Sequence, residues 1–408
     1  MSTEIIHESA TLKGAASDYW SRVKAGDIGA LPAILGLVAL CAIFGAMSDV
    51  FLTAGNFANL LTQAAAVIVI AMGLVFVLLL GEIDLSAGYA AGVSGAVLVI
   101  LITNHQVAWY IAFPISIMVG ALLGFILGSL VARIGIPSFV VTLAAFLAFQ
   151  GLLLLLAGEG GTIRIEDKTI LAVENSNLSP LLSWVFFIVV GVAYVGTGLN
   201  RLNTRRRAGL KTELVKLWVI KTASLLLITG GAVFALTVER SNNPDLVSLK
   251  GIPYVVPLIL FLLAVGTFVL GRTAFGRHIY AVGGNAEAAR RAGINVKRVR
   301  ISAFVICSSL AAVAGMIFAS RQNSISPTTG GSSTLLYAVG AAVIGGTSLF
   351  GGKGKMRDAI LGGLVVAVID NGMGLLGYAA GIKFIVTGLV LLVSAGVDAV
   401  SRHGSSVS

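Results

Sequence analysis

Charge is scarce in this chain: Asp, Glu, Lys and Arg make up 11% of its 408 residues, against about 25% in a soluble globular domain. That excludes a soluble globule. Cysteine is scarcer still, with Cys41 and Cys307 both inside apolar runs, which reads as packing and excludes a disulfide or thiolate–metal framework. The four histidines, His7, His105, His278 and His403, stand far apart, so no metal site is expected. A phosphate-binding loop is missing too. It would need Gly-Lys-Ser/Thr between a strand and a helix, whereas Gly354-Lys355 is followed by Met356 between helical runs, so this chain is expected to bind no nucleotide or other cofactor itself. Residues 1–31 are too long and too polar before the first apolar run to read as a secretory signal, and are expected to form a cytoplasmic N-terminal tail.

What fills the chain instead is apolar: 57% hydrophobic residues and 50 glycines. A bilayer needs about 20 apolar residues per crossing. On that scale the sequence predicts an all-α polytopic integral membrane protein of about twelve transmembrane helices, near 32–51, 57–80, 88–103, 108–132, 137–157, 180–199, 216–238, 252–271, 301–320, 335–350, 358–377 and 381–399. The third and tenth are short and glycine-rich, the pattern of broken or re-entrant segments. Gly120, Gly124 and Gly128 recur on one face of the fourth span, which predicts close helix packing. Residues 32–400 thus form one transmembrane domain, with a cytoplasmic tail at 401–408.

The net charge of +10 comes from short inter-span loops and points to membrane orientation, not to nucleic acid. With the N-terminus inside, loops 200–216 and 272–300 and the tails carry most of the Lys and Arg. The other side keeps Arg164, Lys168, Arg240, Lys250, Arg321 and Lys383. Both termini are therefore expected in the cytoplasm. The long loop 158–179, with Glu159, Glu166, Asp167 and Glu174, is a candidate landing area for an external partner.

Three groups of residues invite a functional reading. The first is a short helix over 285–293: Asn285 is a good N-cap, Glu287 suits the first turn, Ala288 and Ala289 favour helix, Arg290 and Arg291 follow, and Gly293 supplies the stop. An ordinary surface helix would carry the same signals. The second is Gly81-Glu82-Ile83-Asp84-Leu85-Ser86-Ala87-Gly88, where Asp84 or Ser86 either caps the next helix at a turn or marks a helix break beside a translocation path. The third is Asp370-Asn371, past the middle of the eleventh span, where an unpaired acid would cost about 2.5–3.5 kcal/mol. It reads equally as an interhelical anchor and as a gate residue.

Taken together, Gly81-Glu82-Ile83-Asp84-Leu85-Ser86, Arg272-Thr273-Ala274-Phe275-Gly276-Arg277, Gly283-Gly284-Asn285 with Glu287-Ala288-Ala289 and Gly293, Val343-Ile344-Gly345-Gly346-Thr347-Ser348-Leu349 and Asp370-Asn371-Gly372-Met373 resemble the monosaccharide branch of bacterial ATP-binding-cassette permeases. The extra spans around loop 200–216 resemble its xylose-type members. Lys353-Gly354-Lys355-Met356-Arg357 departs from the pattern in being more basic. The resemblance implies the importer permease fold and a non-enzymatic subunit moving a monosaccharide, D-xylose or a related pentose, across the inner membrane. It implies a homodimer in the lipid bilayer, a cytoplasmic ATP-binding subunit holding ATP and Mg, and a periplasmic sugar-binding protein. Asn285, Glu287, Ala288, Ala289, Arg290, Arg291 and Gly293 would couple to the ATPase; Glu82, Asp84, Ser86, Asp370 and Asn371 are the substrate-path candidates. Two other classes fit the composition. One is an ion-coupled secondary sugar transporter with Asp84 or Asp370 as carrier; the other, an intramembrane hydrolase with the two acids as a pair, is disfavoured by their different depths.

Overall fold

The computed structural model describes residues 31–158, 161–209, 215–241, 243–245 and 247–405, with side chains to 396. The N-terminal tail to residue 30, Glu159, Lys211 and residues 406–408 lie outside the described residues. Twelve apolar helices follow one another in the order the hydropathy predicts: α1 (Leu31–Met47), α2 (Ala54–Leu78), α3 (Ala87–Thr103), α4 (Trp109–Ser129, continued by a π turn Leu130–Ile134), α5 (Ser138–Ala157), α7 (Pro180–Arg207), α8 (Val215–Thr237), α9 (Val255–Arg272), α12 (Val296–Gln322), α13 (Ser332–Ile344), α14 (Met356–Leu375) and α15 (Ala380–Ser405). Eight of these are long and apolar enough to cross a membrane, and α1, α3, α13 and the apolar part of α15 are shorter. The protein is an all-α polytopic membrane protein. Between the spans lie α6 (Lys168–Asn175), α10 (Ala274–Gly284) and α11 (Ala286–Arg291).

The described residues divide into two compact units, one built from the stretches up to 176 and from 253 to 399, the other from 177–252. In the larger unit, α12 is the central post. The glycine face expected on α4 lies against it: a Cβ on Gly120 or Gly124 would stand 2.4 Å from Ser308 O or 2.3 Å from Phe304 O, so no larger residue fits. Gly73 of α2 meets Cys307, and Gly95 of α3 meets Gly315. Small residues are needed because lipid gives helices little hydrophobic reason to associate; close backbone approach supplies dispersion instead.

The smaller unit holds α7 and α8 side by side and antiparallel, with Gly198 against Trp218 and Phe187 against Gly230. Ser179 caps α7 and Pro180 opens it; Arg205, Arg206 and Arg207 close it where the helix dipole favours cations. Beyond α8, Glu239 gathers the N–H groups of Leu249, Ser241 and Arg240 and the Ser248 hydroxyl, which pull its carboxyl down to about 2.

The short tenth span ends earlier than hydropathy predicts. Helix α13 stops at Ile344, and residues 345–355 form a loop in which Gly346, Gly351, Gly352 and Gly354 take positive φ, conformations that break any helix. Its 13 residues reach only about 20 Å at 1.5 Å per residue, short of the roughly 30 Å hydrocarbon core.

The segment before α13 explains where the missing length lies. Asn323 turns the chain at φ 52, and Ser324–Ile325 pairs with Ile163–Arg164 at the end of the molecule where Thr103 also bonds Arg164 O. The chain then runs back along α3 without helix: Ile325 lies at Gly95, Thr329 O at Gly92 and Gly330 O at Gly88. It is a re-entrant segment, and glycines on α3 give its backbone room.

Candidate transport path and coupling elements

Helix α9 ends at Arg272, and Thr273 starts α10 by accepting the Gly276 N–H at 3.1 Å. Asn285 ends α10 and starts α11, its Oδ1 accepting the Ala288 N–H at 2.9 Å. Gly293 then closes α11: its N–H reaches Arg290 O and that of Ile294 reaches Ala289 O, both at 3.0 Å, with Gly293 at φ 84. These are the paired bonds of a Schellman ending. Glu287 is gripped by Arg290 at 2.9 Å and Arg291 at 3.1 Å, hydrogen bonds that hold its carboxyl below the usual range. All three charges are exposed and screened by solvent, so the grip serves local order more than stability. Asn285, Glu287, Ala288, Arg290, Arg291 and Gly293 face outward while Ala289 is buried.

The sequence reads as a loop from residue 272 on; Ala274–Gly284 are instead helix α10, and its far end is wedged. A Cβ on Gly283 would stand 1.8 Å from Leu79 O and 2.8 Å from Gly352 N, while Gly352 N–H donates to Leu79 O at 2.8 Å. Gly81 lies against Phe350 O, and the Tyr280 hydroxyl donates to Gly354 O at 2.7 Å. Two glycine-rich motifs far apart in the chain, 81–88 and 345–354, therefore meet under one surface helix. Gly283 belongs to the Gly283-Gly284-Asn285 motif of the resemblance, whereas no local signal in the sequence marks Leu79 or Tyr280.

Beyond this junction the chain breaks between α2 and α3. Glu82 pairs with Arg300 at 3.1 Å. Asp84 turns inward, fully buried, and its Oδ1 accepts the Ser86 N–H at 2.9 Å and the Ser86 hydroxyl at 2.6 Å, while the Cys307 thiol meets the same carboxyl. Of the two caps proposed, it is Asp84 that acts; the Ser86 side chain makes no cap bond. Ser138 and Thr142 of α5 bond Ile83 N and O, so the exposed ends of the break are satisfied.

Asp370 and Asn371 sit elsewhere. Asp370 accepts from Gln63 Nε2 at 2.5 Å and faces Lys383 Nζ at 3.5 Å. Asn371 exchanges two 2.9 Å hydrogen bonds with Asn56. Gln63 and Leu79 lie about 24 Å apart along α2, so the structure does not bring Asp370 to Asp84.

Residues 56–395 match the family model described as the permease component of the branched-chain amino acid transport system. The chain belongs to this family of transport permeases. It is 34% identical to the xylose transport system permease protein of Escherichia coli (strain K12) over 95% of this chain and 96% of that one. It is 33% identical to the xylose transport system permease protein of Haemophilus influenzae, covering 90% and 94%, and 28% identical to the ribose import permease protein of the same organism, covering 89% and 91%. No solved structure matches the chain.

Proposed function

We propose that this permease is the membrane subunit of an ATP-driven importer of a monosaccharide, D-xylose or a related pentose, in a bacterial inner membrane. Two copies would surround the path. A cytoplasmic ATP-binding subunit would hold ATP and Mg, and a periplasmic binding protein would deliver the sugar. Both termini and loops 200–216 and 272–300 lie in the cytoplasm on this reading, in keeping with the excess of basic residues there.

The observation that carries the reading is α11 seated over a junction with no slack. Helix α10, to which α11 is joined at Asn285, has Gly283 jammed against Leu79 and Gly352. A push on α11 by a closing ATPase therefore moves the end of α2, the break at Asp84 and the loop before α14 together, because packed backbone transmits displacement instead of absorbing it. Ion coupling is less well supported. Asp370, one of its two candidate carriers, has Lys383 as an internal partner.

The test is uptake by vesicles holding the purified complex with its ATPase and a panel of binding proteins. Sugar uptake that survives a collapsed proton gradient and stops when ATP is depleted supports the reading. Uptake that follows the ion gradient instead sinks it.

A further inference from the structure

Along the re-entrant stretch and the first turn of α13, Gln322 to Thr334, the chain carries seven hydroxyls and not one charge: Ser324, Ser326, Thr328, Thr329, Ser332, Ser333 and Thr334. Thr328 and Ser332 are exposed. Ser326, Thr328 and Thr329 are linked by hydroxyl contacts of 3.0 and 3.2 Å, leaving hydrogen-bonding capacity facing outward. This polar surface lies deep. Thr329 is level with Gly92, about 16 Å along α3 from its outer end at Thr103.

Helix α5 borders the same place. A Cβ on Gly92 would touch Leu153 as well as Thr329 O, and Tyr89, whose hydroxyl faces Gly331, packs edge-on against Phe146 at 4.8 Å. Phe146, Gln150 and Leu153 share one helix face. Gln150 is exposed there, about 18 Å along α5 from Ser138. Irregular backbone, hydroxyls and a carboxamide at this depth cannot face hydrocarbon; such groups occur where they line water.

We infer that Thr328, Ser332 and Gln150, with the half-buried ring of Phe146 as an aromatic wall held from behind by the buried Tyr89, line the solute path and form a low-affinity subsite for a neutral polyol such as a monosaccharide. The inference deepens the import reading and rests on it for the identity of the sugar. Hydroxyl and amide groups match sugar hydroxyls, and an aromatic wall matches the C–H faces of the ring. Lack of charge argues against an amino acid, whose ammonium and carboxylate would each need a partner here.

The experiment uses the assembled complex carrying Thr328→Cys, Ser332→Cys or Gln150→Cys, each treated with a membrane-impermeant thiol reagent on both faces. The wild-type chain, with its own two cysteines, is the blank; Leu155→Cys, on the most exposed apolar side chain of α5 at 80%, is the lipid-facing control. The three path variants are expected to react and Leu155→Cys not to. D-xylose at ten times its dissociation constant should slow the reaction about tenfold by occupancy, and L-leucine should leave it unchanged. Absence of reaction at both Thr328→Cys and Ser332→Cys overturns the path, whatever the wild-type complex transports. Reaction slowed by L-leucine and not by D-xylose or D-ribose overturns the ligand class, and uptake by the wild-type complex, measured in parallel, tests the import reading separately.

Discussion

Ionisable side chains in this protein differ in what answers them. Glu174 of α6 is buried against α12 with Arg321 at 3.9 Å, and Arg321 is shared with Thr62 and Asn59. Burial outweighs that arginine and pushes the carboxyl up to about 8. A group whose pKa rises on folding is best tolerated when protonated, so the stability of the α6 docking is full below about 4.5 and falls as pH rises toward 8. Glu174→Gln should therefore raise the melting temperature of the purified protein relative to wild type at pH 8.5 and leave it little changed at pH 5; an equal effect at both would refute this balance. Asp370 is answered instead by Gln63 and Lys383. Asp370→Asn strands the lysine, and Lys383→Met strands the acid, so each alone should lower the amount of folded protein while the double variant recovers much of it. A double-mutant cycle should give a coupling of about 1–3 kcal/mol. Additive losses would mean that the pair is incidental and would reopen a gating role for Asp370.

At the scale of elements, helix α11 is short enough to be a lever only because both ends are tied. Ala289→Pro removes the N–H that donates to Asn285 O and costs about 3 kcal/mol or more in a helix interior. More than one turn should unwind, so ATP hydrolysis and uptake should separate in the assembled complex; normal uptake per ATP would contradict the coupling role. Gly283→Val probes the other end. Its side chain would have to occupy the Leu79 and Gly352 backbone, and the expected result is loss of coupling or of assembly, whereas Gly284→Val, with no neighbour near its Cβ position, should assemble normally. The helix itself was legible in the sequence because Asn285 and Gly293 are local signals that act within one turn. Its seat was not: Gly283 reads as any loop glycine until Leu79 and Gly352 are brought against it.

Over the whole molecule, the distribution of basic residues makes orientation testable. A cysteine near Arg206 or Arg290 should be shielded from an impermeant reagent added outside spheroplasts and one near Asp167 labelled, with the reverse pattern inverting the topology. The number and order of the apolar helices followed from sequence alone, since a span is set by the run of apolar residues against a fixed bilayer thickness, a comparison that needs no neighbour. The glycine face of α4 was equally plain, because its four-residue period is a property of one helix. Only tertiary structure decided that the tenth span is preceded by a re-entrant segment, that Asp84 rather than Ser86 caps the break, and that Asp370 has Lys383 as its partner. Each of these depends on which backbone or charge arrives from a distant part of the chain, and a glycine or an acid in a hydrophobic run carries no mark of whether lipid, water or another helix will stand beside it.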